Sequence, residues 1–372
     1  MKQKARQANM ELLRIVAMCM VVALHYLIKG EAAVSLVENF TAVNLVLWLV
    51  KAFCIVTINV YVLLSGYFLL ETEWKVSRLL KLWIQVLFYS VGVPLVCFIL
   101  GIGEVRQWGL YDWINVLFPV QMEHYWFITA YVVMYLLIPV LSLGVKSITK
   151  KQHQLVIAGL LLVFSVPKTI LPVYIPTDRY GYDFGWFVCL FIMAAYLRLY
   201  GIPFLNQKGK ALTAYVVSVF GIWGISMACA MLARKGLPLS YMMDMAYCYN
   251  HLLVLAASIA LFGAYTYVKI PEGKISNMIC RISPYTLGVY LLHENLAIRT
   301  KWQFFAGIEH VRGGFEIIPH MIVTVLAVFV AGVVVDFVRD CIFKTTANVF
   351  KKIFAGKNAN KKQIDKIKVK SR

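Results

Sequence analysis

The sequence predicts an all-α polytopic integral membrane protein, with about ten transmembrane helices around an internal cavity and both termini cytoplasmic. Three observations carry that prediction. The 372-residue chain is 61% hydrophobic and only 15% charged, whereas soluble domains hold about 45–50% apolar and about 25% charged residues. Apolar windows recur along nearly the whole length, which a soluble domain with one anchor would not show. The basic residues alternate between loops in a way that fits one orientation.

In order, the windows are 11–28, 43–69, 79–101, 124–143, 153–171, 183–201, 211–233, 244–268, 276–297 and 317–341. Each can cross about 30 Å of hydrocarbon at about 1.5 Å per residue. The first follows a basic lead, as a signal peptide would. No small-x-small cleavage site follows and Arg14 interrupts its start, so it reads as a retained helix. Loops after even-numbered windows carry Lys75, Arg78 and Lys81; Lys146, Lys150 and Lys151; Arg198, Lys208 and Lys210; Lys269, Lys274 and Arg281. Loops after odd-numbered windows are mixed or acidic, such as "KGEAAVSLVEN" and "GIGEVRQWGLYD". The positive-inside rule then puts both termini in the cytoplasm and makes the count even.

Two segments depart from this pattern. Residues 105–122 are aromatic, too short to span, and read as an amphipathic or re-entrant piece on the outer face. Residues 172–186, "PVYIPTDRYGYDFGW", read as an outer loop whose aromatics serve as a membrane belt or stack on sugar. Residues 1–345 are expected to form the membrane-embedded domain and 346–372 a basic cytoplasmic tail. Beyond Phe350 that tail has nine basic residues and one acid, a composition that anionic lipid attracts.

The net charge of +19 would suggest nucleic acid in a soluble protein. Here it is spread over short loops between apolar windows, and topology accounts for it without nucleic acid. The eight cysteines nearly all lie inside apolar windows and form no CxxC or metal-type spacing, so they read as small buried hydrophobes.

An ionisable side chain near the centre of a span costs about 2.5–3.5 kcal/mol on insertion. Such residues therefore carry the functional signal. In "NMELLRIVAMCMVVALHY", Arg14 and His25 are eleven residues apart. Eleven steps of about 100° make three turns plus about 20°, so both lie on one helix face, about 16 Å apart along the axis. The plain alternative is a snorkelling arginine and an interfacial histidine. The second window ends in "VYVLLSGYFLLETEWKVSRLLK". Ser65-Gly66 there allows close helix approach, and Arg78 and Lys81 follow on the side of Arg14. Guanidinium groups suit phosphate, so Arg14, Ser65, Arg78 and Lys81 are candidates for an anion pocket, with helix packing and topology charge as the alternative.

The ninth window, "SPYTLGVYLLHENLAI", brings His293, Glu294 and Asn295 to the outer side, at a depth comparable with His25. Glu123, His124 and Trp126 stand at the outer start of the fourth. Three histidines at outer helix ends invite a zinc reading, but their separation in sequence does not show convergence, and no metal is expected. No G-x-S-x-G, P-loop or G-x-G-x-x-G is present.

"LLRIVAMCMVVALHY", with an arginine, ten residues and a histidine, resembles the first helix of the acyltransferase-3 family. "INVYVLLSGYFLL" is similar to that family's second-helix segment at Ser65, Gly66 and Tyr67, and "HYWFITAYVVMYLLIPVL" and "GVYLLHEN" also resemble family segments. The resemblance runs over essentially the whole chain. Many members carry R-x-x-R after the second helix; here it reads Arg78-Leu-Leu-Lys81, which keeps the charge and loses a guanidinium fork.

The resemblance implies an O-acyltransferase in a cell membrane, a bacterial plasma membrane. It would move an acyl group, usually acetyl, from cytoplasmic acyl-CoA to a hydroxyl of a surface or exported carbohydrate. Acetyl-CoA would be the donor, and membrane lipids and the glycan the other partners. Arg14, Ser65, Arg78 and Lys81 would hold the donor. His25 would be the general base, or carry the acyl group itself. His293, Glu294, His124 and Trp126 would support the site or the acceptor, and Asn59, Tyr131 and His293 are candidate oxyanion donors. A transporter or flippase of a lipid-linked or small polar solute is the alternative.

Overall fold

Backbone polar groups in a lipid interior must be paired within their own segment, and this chain does so with helices alone. The computed structural model describes residues 7–171, 173, 179–202, 205 and 207–370, with side chains as far as residue 348. Among the described residues there is no strand.

The helices are α1 (Ala8–Lys29), α2 (Ala42–Cys54), α3 (Thr57–Leu69), α4 (Val76–Leu100), α5 (Leu110–Leu117), α6 (Trp126–Ser147), α7 (Lys150–Phe164) and α8 (Val166–Ile170). There follow α9 (Phe184–Tyr200), α10 (Lys208–Arg234), α11 (Ser240–Met245), α12 (Leu252–Thr266), α13 (Lys274–Ile282), α14 (Thr286–His293), α15 (Trp302–Phe305) and α16 (Ile317–Lys370).

Among the described residues, six stretches are long and apolar enough to cross a membrane: α1, α2 continued by α3, α4, α6, α10 and α16 as far as Asn348. The apolar helices α9 and α12 are shorter. Several of the sequence windows are built from pieces, among them window 43–69, which is divided between α2 and α3. Window 153–171 breaks at Ser165, just before Pro167, and window 276–297 breaks at a 3₁₀ turn, Ser283–Tyr285, that holds Pro284. Proline lacks the N–H that would continue the ladder, so both breaks have a local cause. Residues 105–122 form a 3₁₀ turn and the short helix α5, which exposes Leu110, Tyr111 and Leu117. At about 1.5 Å per residue, the 54 residues of α16 run about 80 Å, well beyond the hydrocarbon.

The first helix is the hub. It packs against α2, α3, α12, α13, α14 and α16. Small residues set the closest approaches around it. A Cβ on Gly66 would meet Ala194 Cβ at 2.8 Å and Phe191 Cα at 3.3 Å, so the Ser65-Gly66 step seats α3 on α9. On α14, a Cβ on Gly288 would lie 2.3 Å from Asp336 Cβ of α16.

Asp336 is fully buried and gathers donors from two helices. It accepts hydrogen bonds from Tyr89 Oη (3.0 Å) and Gln85 Nε2 (3.0 Å) of α4 and pairs with Arg339 Nε (2.7 Å). A buried carboxylate persists in such surroundings only when paired and bonded in this way. The cluster locks α4, α14 and α16 together.

Gly288→Ala is expected to cost about 1–3 kcal/mol by forcing α14 off α16. Gly144→Ala, where nothing lies within 4 Å, is the control and should leave stability unchanged or slightly raised. Thermal unfolding of the two purified variants checks this; equal midpoints would contradict the close approach.

Candidate active site

One stripe of α1 organises the site. Arg14, Met18 and Val21 line a cavity of about 320 Å³, a size within the usual range for small-molecule sites. One end of the cavity is lined by Arg14, Ser65, Arg78 and Ser283, and the other by Val21, Phe127 and Tyr290. From residue 14 to residue 21 is about 10 Å along the helix axis, and His25 lies about 6 Å further on the same face. His25 is thus not a lining residue but stands one turn beyond the cavity's inner end.

The basic end is held in place rather than loose. Glu11, one turn before, pairs with Arg14 at 3.3 Å and accepts the Ser283 hydroxyl, and Tyr61 donates to the Arg14 carbonyl at 2.7 Å. The Arg14 side chain remains 28% exposed, so its guanidinium keeps donors for a ligand. Ser65 and Arg78 join it at the cavity, as the sequence suggests. Lys81 is exposed and does not line it.

At the other end, α14 supplies the partners of His25. His25 Nδ1 is 2.9 Å from His293 Nε2 and 3.0 Å from a carboxylate oxygen of Glu294, whose other oxygen pairs with Lys29. The proton positions follow from the acceptors. His293 Nδ1 lies 2.6 Å from the Val289 carbonyl, which can only accept, so this nitrogen carries the hydrogen. In a neutral ring His293 Nε2 is then an acceptor, and His25 Nδ1 must donate to it. His25 Nε2 is left with a free lone pair, and no described residue bonds to it. That is the tautomer a general base requires. Glu294 Oε2 sits close to the His25 ring without a hydrogen bond, because the Nδ1–H is spent on His293.

His25, His293 and Glu294 offer ligand atoms within 4.8 Å of one another, a set of the kind that holds zinc. In the observed arrangement the two ring nitrogens face each other at hydrogen-bond distance, and Lys29 places its positive charge on the carboxylate.

The remaining predicted residues divide. Tyr131 lines the cavity, stacked between Phe127 and Tyr135. Asn59 is buried away from the cavity, with its amide donating to the Tyr249 carbonyl and its oxygen accepting from Trp186. His124 does not join the histidine pair; its Nε2 accepts the Leu296 N–H and its Nδ1 lies 3.2 Å from Ser90 Oγ, so it pins the loop after α14. Trp126 belongs to a ring cluster with Tyr182 (4.5 Å between centroids) and Tyr249. Beside that cluster Arg179 forks onto Glu123, at 3.0 and 2.9 Å, and holds its carboxyl below the usual carboxylate range.

Sequence reasoning missed Lys29 and Tyr290. Both had a legible signal, since Lys29 follows His25 by four residues and Tyr290 precedes His293 by three, each on the same helix face.

Against protein-family models, residues 7–338 match the acyltransferase-3 family, described as an acyltransferase domain. Neither a curated protein nor a solved structure gives a match. The match spans most of the chain, which therefore belongs to the acyltransferase-3 family.

The ion pair between Lys29 and Glu294 is mostly enclosed, with side chains 22% and 6% exposed. Glu294→Gln should therefore destabilise the protein by several kcal/mol, about 3 at most given the partial exposure of Lys29. Adding Lys29→Met should recover part of the loss. A double-mutant cycle on thermal unfolding measures the coupling, and strictly additive effects would show that the pair is not linked.

Proposed function

With that membership as premise, we propose that the protein moves an acetyl group from cytoplasmic acetyl-CoA to a hydroxyl of a cell-surface or exported carbohydrate. In this reading the chain makes ten spans of a cell membrane, with both termini cytoplasmic. The observation that carries it is the single α1 stripe that joins the Arg14 end of the cavity to His25.

The parts then act in order of depth. Arg14 and Arg78 bind the donor's phosphates, with Ser65 beside them, because guanidinium forks match phosphate oxygens. The apolar walls around Met18, Ile58 and Leu82 take the extended arm and bring the thioester past Val21 towards His25. His25 Nε2 accepts the proton of the attacking hydroxyl. His293 and Glu294 fix the ring and stabilise the imidazolium that forms. A basic, stationary donor mouth and an acceptor side beyond His25 let the acyl group cross while the CoA does not. The Trp126–Tyr182–Tyr249 rings lie at the start of α6 and in the loops before α9 and α12, and their faces suit the C–H faces of a sugar.

His25→Ala should abolish O-acetyl incorporation into the surface polysaccharide at normal membrane levels, read by NMR of the isolated polymer. Acetyl content equal to wild type in both this variant and a full deletion would refute the proposal. Loss of the polymer itself, at constant acetyl per sugar, would point to transport. Arg14→Ala should weaken acetyl-CoA binding by about 1.5–3 kcal/mol, the range for a hydrogen bond to a charged group, and unchanged affinity would remove Arg14 from the donor site.

A further inference from the structure

Acyl transfer to a hydroxyl passes through a tetrahedral oxyanion, which needs a hydrogen-bond donor on the His25 side of the cavity. The search for one leads to the inner end of the cavity. Tyr290 lines it, is only 5% exposed, and has a buried hydroxyl with no hydrogen-bond partner. Its ring centroid lies 6.2 Å from that of His293 and 6.0 Å from that of Phe127. On α14 it shares a face with His293 and Glu294, three and four residues on.

An unpartnered hydroxyl is costly in an apolar interior. It is not alone here. Glu294 Oε2, Trp302 Nε1 and Gln303 Oε1 are also buried without hydrogen bonds. Trp302 has its ring 6.0 Å from that of His293, and Gln303 donates to the His25 carbonyl at 3.3 Å. Orphaned polar atoms of both kinds, gathered around one histidine pair, mark a place that receives a polar ligand.

A second feature aims at the same point. The 22-residue helix α6 begins at Trp126, and its N-cap residue Tyr125 gives no side-chain cap. The first internal hydrogen bonds come from the N–H groups of Ile128 and Thr129, so the amides of Trp126 and Phe127 precede them. The Phe127 ring packs on that of Tyr290 at 6.0 Å, which brings the start of α6 beside the Tyr290 side chain. An uncapped helix start is electropositive and favours negative charge.

We propose that the Tyr290 hydroxyl is the oxyanion donor of the acyl transfer, backed by the uncapped start of α6. The inference rests on the acyltransferase reading of the cavity and His25. The acceptor oxygen attacks the thioester carbon while its proton passes to His25 Nε2. The carbonyl π electrons move onto oxygen, where the Tyr290 O–H donates to them. Collapse re-forms the carbonyl and breaks the C–S bond, and the leaving thiolate takes the proton from the His25 imidazolium. The products are the ester and free CoA thiol, with every atom and charge accounted for. Because the Tyr290 O–H donates to no described residue, donation to the oxyanion breaks no existing bond.

The test is Tyr290→Phe, which removes one oxygen and no packing. Three quantities are read: O-acetyl per sugar formed in cells per unit of membrane protein, acetyl-CoA affinity of the purified protein, and its thermal midpoint. The expected result is an acetylation rate lower by about 10²-fold, as for loss of one oxyanion donor. Affinity should be unchanged, and the midpoint unchanged or raised because an orphaned polar group is gone. Acetylation near the wild-type level in Tyr290→Phe, with His25→Ala inactive, would overturn the role of Tyr290 and leave the acyltransferase reading intact. Loss of acetylation together with affinity or midpoint would make Tyr290 structural and would also overturn it. Wild-type acetylation in both Tyr290→Phe and His25→Ala would refute the acyltransferase reading, and the inference with it.

Discussion

An arginine and a histidine on one face of a membrane helix must be enclosed by protein, because lipid offers neither of them a hydrogen bond. The rest of this fold follows from that constraint on α1. Six other helices pack around it, and small residues let them come close enough to do so. Enclosure is incomplete at two points. Arg14 keeps part of its guanidinium open to a cavity, and His25 keeps one ring nitrogen free.

The two ends of the stripe are stiffened by different means. Arg14 is held by a carboxylate one turn away and by the backbone contact of Tyr61, which orient it without burying it. His25 is held by a chain that starts from a backbone carbonyl, Val289, and passes through His293. A carbonyl can only accept, so it fixes which nitrogen of neutral His293 carries the hydrogen, and through His293 the tautomer of His25. Glu294 adds negative charge beside the ring, and Lys29 balances that charge in the resting state. In the proposed transfer, a proton taken by His25 would meet Glu294 already adjacent at 3.0 Å.

The sequence made legible whatever depends on local period. The Arg14–His25 face follows from 100° steps and the close contact at Gly66 from its missing Cβ, whereas the breaks before Pro167 and at Pro284 fall inside windows that read as continuous in the sequence. Pairings across 268 residues, such as His25 with His293, are set by how α14 packs on α1, which no local pattern encodes. For the same reason the three outer histidines could not be sorted. Two meet, while His124 spends both nitrogens on Ser90 and the loop after α14. Asn59 was attractive as a polar residue in a span, yet it serves to join Trp186 to Tyr249. Lys81, three residues beyond Arg78 on α4, is exposed and does not line the cavity that Arg78 lines.

The central claim is one of order in depth: phosphates at Arg14 and Arg78, reacting sulfur beyond Val21 towards His25. A structure of the protein with CoA bound in a lipid nanodisc tests it most directly. The diphosphate is expected on the two guanidinium groups and the sulfur at the inner end of the cavity, in contact with the Tyr290 or His25 side chain. CoA phosphates bound elsewhere, or a sulfur lodged away from Tyr290 and His25, would contradict it.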